Sequence, residues 1–122
     1  MTIDEYRLIE SMIGVIMPID QKLINEIVNR VLAVVQAERV ILFGSAASGE
    51  MTRNSDIDLL VLDSTHGDTR EKSVSLNRAL RGMGYPFDII VMDTERFDES
   101  KDVIGGIAYP TNKNGKVIYA AG

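Results

Sequence analysis

Three aspartates stand at places where a globular domain rarely keeps charge. Asp56 and Asp58 flank Ile57 at the head of the run Ile57-Asp58-Leu59-Leu60-Val61-Leu62, and Asp88 opens a second apolar run, Phe87-Asp88-Ile89-Ile90-Val91. Side chains two positions apart on a strand share a face, so Asp56 and Asp58 would sit roughly 6.5 to 7 Å apart at the Cα level. That spacing suits a shared ion. The apolar residues that follow do not alternate with polar ones, which is how a strand covered on both faces reads, so the acids approach the interior. Ionised carboxylates there lose hydration and raise one another's pKa unless a cation joins them. Three such oxygen donors fit magnesium, which keeps waters and binds through a few carboxylates plus substrate phosphates. Taken singly, each acid also has a structural reading: Asp56 capping a turn, Asp58 exposed on a strand, Asp88 marking a strand start beside Pro86. Taken together, they favour the ion.

The other half of such a site precedes the first pair. Gly44-Ser45 ends the run Val40-Ile41-Leu42-Phe43, and a residue without a side chain lets a phosphate approach backbone N–H groups, with the Ser45 hydroxyl as a further donor. Alone, the pair is also an ordinary turn, and neither a Walker A sequence nor GxGxxG accompanies it. The absence of cysteine excludes disulfides and thiolate zinc, and a single histidine, His66, is too few for a histidine-rich metal centre. Eighteen acidic against thirteen basic residues leave a net charge of -5, which repels a polyanion and argues against direct duplex nucleic acid. The apolar stretch at residues 12–19 is shorter than the roughly 20 residues of a membrane helix and contains Gly14 and Pro18, so no membrane is expected. No basic leader opens the chain, and the expected location is cytoplasmic.

These residues need elements to hold them. Thr2 and Glu5 have the form of a capping box ahead of a helix at about 4–16, where Leu8, Ile9, Met12, Ile13, Val15 and Ile16 extend beyond one stripe and pack onto the domain or a partner. Pro18 stops it. Asp20 caps a second helix, with Ile24, Ile27, Val28, Val31 and Val35 on one buried face. A strand follows to Phe43, then a small polar loop at 45–55, a strand at 57–62 and a loop at 66–68. A helix at 69–81 turns Val74, Leu80 and Leu76 inward and ends at Gly82 and Gly84. A third strand spans 87–92, Asp93 or Thr94 caps a helix towards Ile104, and a turn at 110–115 leads to a short edge strand, Lys116-Val117-Ile118-Tyr119. At 122 residues this is one domain: an α/β fold with a mixed sheet of three or four strands, helices packed on one side and the acids at the strand ends.

Gly44-Ser45, ten intervening residues, then Asp56-Ile57-Asp58-Leu59-Leu60-Val61, with Asp88 in the place of a third acid, resembles the signature of the DNA polymerase beta-like nucleotidyltransferase superfamily. The likeness extends over most of the chain, and the size resembles the minimal nucleotidyltransferases, many of which are antitoxins paired with a HEPN-domain ribonuclease. The resemblance implies that Gly44 and Ser45 hold the nucleotide triphosphate, with Ser55 either touching phosphate or making a local turn bond. It implies that Asp56 and Asp58 hold two magnesium ions, and that Asp88 holds the one that activates the attacking hydroxyl. It further implies ATP as substrate, AMP as the transferred group and a hydroxyl of a HEPN-type toxin as acceptor. Where such relatives often carry a basic residue after the Gly-Ser pair, this chain has Ala46-Ala47-Ser48-Gly49-Glu50. Triphosphate binding would then lean on metal, backbone and Arg53, itself equally readable as a solvated loop residue. An antitoxin of the same fold that blocks its partner sterically is the alternative, a degenerate nucleotide- or metal-binding module a third reading, and an oligomer is compatible with each.

Overall fold

The structure is a computed structural model and describes residues 19–49, 55–65 and 67–121. The helix expected at 4–16, Arg53 and His66 lie outside the described residues. Asp20 caps the first described helix, α1 (Gln21–Val34), accepting from the Leu23 N–H at 2.8 Å. Its apolar positions recur every three to four residues, and Ile24, Ile27 and Val31 are buried. Full burial of an aliphatic side chain of this size contributes about 1.5–3 kcal/mol. The chain then forms β1 (Arg39–Phe43), a single helical turn α2 (Ser45–Ser48), β2 (Ile57–Leu62), α3 (Thr69–Ala79), β3 (Phe87–Met92), α4 (Thr94–Ser100), α5 (Ala108–Asn114) and β4 (Lys116–Ala120).

The strands form one mixed sheet in the order β3-β2-β1-β4. β1 runs antiparallel to β2, with Phe43 opposite Asp58, and antiparallel to β4 on its other edge. β2 and β3 run parallel, with Asp58 opposite Asp88. A parallel pair needs a crossover, and α3 supplies it.

Alternation along the strands sorts the core into two layers. Val40, Leu42, Ile57, Leu59, Val61 and Ile89 pack with Ile27 and Val31 of α1 and Leu76 of α3. Ile41, Leu60 and Leu62 pack on the opposite face with Phe97 of α4 and Ala108 of α5. The two long helices thus share one face and the short α4 and α5 cover the other, so helices pack on both sides of the sheet and not on one side as expected. Arg39 fastens α4 to the sheet, donating to Asp98 at 2.7 Å with its guanidinium 5.3 Å from the centroid of the Phe97 ring. Arg30 fastens α1 to the end of α3, donating to the carbonyls of Ala79 and Arg81.

Local expectations change at three places. The small polar stretch after Gly44 contains the helical turn α2. Val74 faces outward at 47% exposure, and Leu76 and Leu80 make the inward contact of α3 and its C-terminal end. The segment expected as a turn from Pro110 to Gly115 is mostly helix, α5. Pro110 is the third residue of that helix, where a missing N–H costs no intrahelical bond.

Candidate active site

Asp58 and Asp88 have the same strand parity as Leu60, Leu62, Ile90 and Met92, so both lie on the α4–α5 face. They are register partners on neighbouring parallel strands, about 4.8 Å apart in the pairing direction. Asp56 sits two residues earlier, just ahead of β2, where the Ile57 N–H donates to the Pro86 carbonyl at 2.9 Å and ties the entrances of β2 and β3 together. Asp56 and Asp88 are exposed, and Asp58 is half-buried. Burial raises the Asp58 carboxyl above its ordinary pKa, and the negative charges of Asp88 and then Asp56 push it further. The charges of Asp88 and Asp56 thus both bear on Asp58.

Gly44 meets this group from β1. Its backbone is at φ 62°, ψ −145°, a region essentially reserved for glycine, and a Cβ there would collide with Asp58 Oδ2 and lie 3.4 Å from its Cγ. The missing side chain is thus first a matter of room for an acid, whatever else approaches. No side chain caps α2; the Ala47 and Ser48 N–H groups donate to the Gly44 carbonyl at 3.2 and 3.1 Å, which leaves those of Ser45 and Ala46 for an anion. Ser45 is half-buried at the start of that turn, and Ser55 is half-buried just ahead of Asp56.

Among the described residues no three acidic or histidine side chains form a ready-made metal cage as they stand. The donor set nevertheless fits a hard divalent cation: it offers carboxylate oxygens without sulfur or imidazole, and the like charges crowding Asp58 are what a cation would relieve.

One buried acid was not singled out from sequence. Asp63, directly after β2 at the opposite end of the strand, is 3% exposed. Its Oδ1 accepts from the Thr65 N–H at 2.7 Å and the Thr65 hydroxyl at 2.5 Å, and Lys72 Nζ lies 3.3 Å from Oδ2. The Lys72 ammonium also donates to the Thr65 carbonyl and hydroxyl at 2.8 and 2.9 Å, a geometry that leaves Oδ2 ion-paired without an aligned hydrogen bond. Its signal is an acid directly after the apolar run Leu59-Leu60-Val61-Leu62. It closes the loop into α3 and lies away from the three acids.

The profile of the family described as "nucleotidyltransferase domain" matches residues 22–107. A search of curated protein sequences gives no match. Among solved structures, a toxin–antitoxin complex with AMP-PNP superposes with a TM-score of 0.57 at 24% identity, covering 80% of this chain and 73% of that one. The toxin–antitoxin MntA–HpeT, in a double Asp-to-Glu mutant whose two sites are two positions apart, gives 0.61 at 18% identity with the same coverage. A protein from Sulfolobus solfataricus proposed to be a nucleotidyltransferase gives 0.50 at 33% identity, over 66% of this chain and 73% of that one.

Proposed function

The chain belongs to the nucleotidyltransferase domain family, and from that premise we propose that it transfers a nucleoside monophosphate, AMP from ATP, to a hydroxyl of a partner protein. We take that partner to be a HEPN-type toxin that the transfer silences. The observation that carries the reading is the pairing of Asp58 with Asp88 across parallel strands while Gly44 makes room for the Asp58 carboxylate.

In the reaction, the acceptor oxygen bonds to the α-phosphorus, the bond from that phosphorus to the bridging oxygen of pyrophosphate breaks, and the hydroxyl proton passes to solvent. Gly44 and Ser45 would seat the phosphates against the first turn of α2. Asp56 and Asp58 would hold both of two magnesium ions, and Asp88 the one nearer the acceptor. Bound there, the ions would neutralise charge on the entering and leaving oxygens. The sheet keeps the acids in register, so the chain's own contribution is chiefly position.

A partner protein is supported by two things. Two of the similar structures are toxin–antitoxin complexes, one of them with AMP-PNP. The loop from α4 to α5, which joins the two helices on the acid-bearing face, exposes Val103 at 61% and Ile104 at 83%, surface a partner could cover. The steric-blocker reading draws on a different observation: no basic residue occurs in the turn Ser45–Ser48, so phosphate binding would depend on metal and backbone. Incubating the protein with ATP radiolabelled at the α-phosphate, magnesium and its co-purified partner separates the two. Label on the partner supports transfer, and a stable complex without label supports blocking.

A further inference from the structure

Beside the site, on the face that carries Asp58 and Asp88, is a cavity of about 290 Å³. Its apolar walls are Phe43, Ile107 and Pro110, and its polar groups come from Ser48, Thr111 and Asn114. Gly44 lines it too, so the residue that touches Asp58 on one side opens onto this cavity on the other. We propose that the cavity receives the nucleobase of the nucleotide whose phosphates lie at Gly44-Ser45. The inference rests on the nucleotidyltransfer reading and adds to it where the base goes and which residues hold it.

Chemistry selects the occupant. No charged side chain lines the cavity among the described residues, so it offers a phosphate no cation and a metal ion no carboxylate. A neutral planar ring with polar edges fits apolar walls and a few hydrogen-bonding groups. Asn114 is exposed at the cavity and its amide both donates and accepts, the combination that reads a base edge. Thr111 is 2% exposed, and its hydroxyl has no hydrogen-bond partner. Leaving a buried hydroxyl unmatched is costly, and a ligand edge in the cavity is a candidate match.

The fold also keeps these groups in place. Gly115 follows α5 and presses on β1: a Cβ there would lie 2.7 Å from Ile41 Cγ2 and 3.1 Å from the Leu42 carbonyl, and would collide with the Thr111 carbonyl. Only a residue without a side chain lets α5 end against the strand that leads into Gly44. That approach sets Pro110, Thr111 and Asn114 beside the phosphate turn.

The test is calorimetry on the full chain with magnesium and either a nonhydrolysable ATP analogue or inorganic tripolyphosphate. Asn114→Leu should weaken the analogue about tenfold and leave tripolyphosphate unchanged. Thr111→Val should act in the same direction without lowering the melting temperature, because the hydroxyl it removes has no partner in the fold. If both variants bind the analogue as tightly as the wild type, the base lies elsewhere and the inference falls. It falls equally if analogue binding is unchanged while the KM for the protein acceptor rises, since the cavity then takes an acceptor side chain. Wild-type protein that binds tripolyphosphate but gains nothing from the nucleoside also overturns the base site while sparing the phosphate site. Wild-type protein that binds neither ligand overturns the nucleotidyltransfer reading itself.

Discussion

Gly44 and Asp58 compete for the same small volume, and the glycine yields it. Gly44→Ala combines a backbone at φ 62° with a Cβ driven into the Asp58 carboxylate, so it should cost about 2–3 kcal/mol. A denaturant melt measures that loss. Nucleotide binding should fall with it, because relief of the clash displaces the acid. Asp58 carries the opposite expectation. Its pKa is raised by burial, then by Asp88 and Asp56, so the ionised form is disfavoured in the native state and stability declines as pH rises through the native value. Asp58→Asn removes one repelling charge and should therefore raise the melting temperature at neutral pH in the presence of chelator, by a few degrees at most. A drop would mean that the carboxylate is bonded to the fold and not crowded by its neighbours. The acids stand out in the sequence because three of them gather at the ends of two apolar strand runs, whereas any one alone also reads as a turn cap or an exposed strand position. The reason for Gly44 is not legible there, since it depends on Phe43 standing opposite Asp58, and register across strands is set by the whole sheet.

Strands, the long helices and the capped start of α4 announce themselves through period and caps, whereas the short α2 and α5 do not. Asp20, Asp68 and Asp93 each accept from backbone N–H groups of the helix they precede, and all three precede segments expected to be helical. The sequence of α5 has the punctuation of a turn, Pro110 and Gly115, but Pro110 occupies the first turn of the helix and Gly115 the close approach to β1. Val74 and Leu76 are two positions apart in α3, so they cannot both face the sheet, and packing chose Leu76. The junction of β2 with α3 gives a sharper test. Asp63 is opposed by burial, but the Thr65 hydroxyl and N–H and the Lys72 ammonium more than offset this and hold its pKa below the ordinary carboxylate value. A lowered native pKa means that its stabilisation is present above the unfolded value of about 3.9 and is lost as pH falls through the native value. Lys72→Met strands the buried charge and should cost about 3 kcal/mol at neutral pH. Protonating Asp63 should then relieve the variant, so its deficit against the wild type should shrink in thermal melts below about pH 4. An equal deficit at both pH values would show that Lys72 contributes packing and not charge.

Across the whole molecule, a mixed four-stranded sheet brings acids from β2, β3 and the segment before β2 to one end of one face, next to the turn that follows β1. The short helices α4 and α5 cover the rest of that face, and no helix among the described residues is long and apolar enough to cross a membrane. Sequence carried the architecture this far because the strands β1 to β3 read as apolar runs, interrupted in β2 by Asp58 and in β3 by Asp88. It could not carry the cavity beside Gly44, whose walls come from β1, α2 and α5 and meet only in the folded chain. The central claim is that this arrangement transfers a nucleotide and does not merely block a partner. On the proposed assignment Asp88 would serve the entering hydroxyl, while Asp56 and Asp58 would also hold the nucleotide-bound ion, so Asp88→Asn should reduce transfer far more than it reduces binding of a nonhydrolysable ATP analogue. Mass spectrometry of the partner co-expressed with each form tests this most directly. The account predicts one or more added AMP units with the wild type, none with Asp88→Asn, and loss of protection from toxicity in the variant although the complex persists. An unmodified partner in both cases, with full protection by Asp88→Asn, would contradict it.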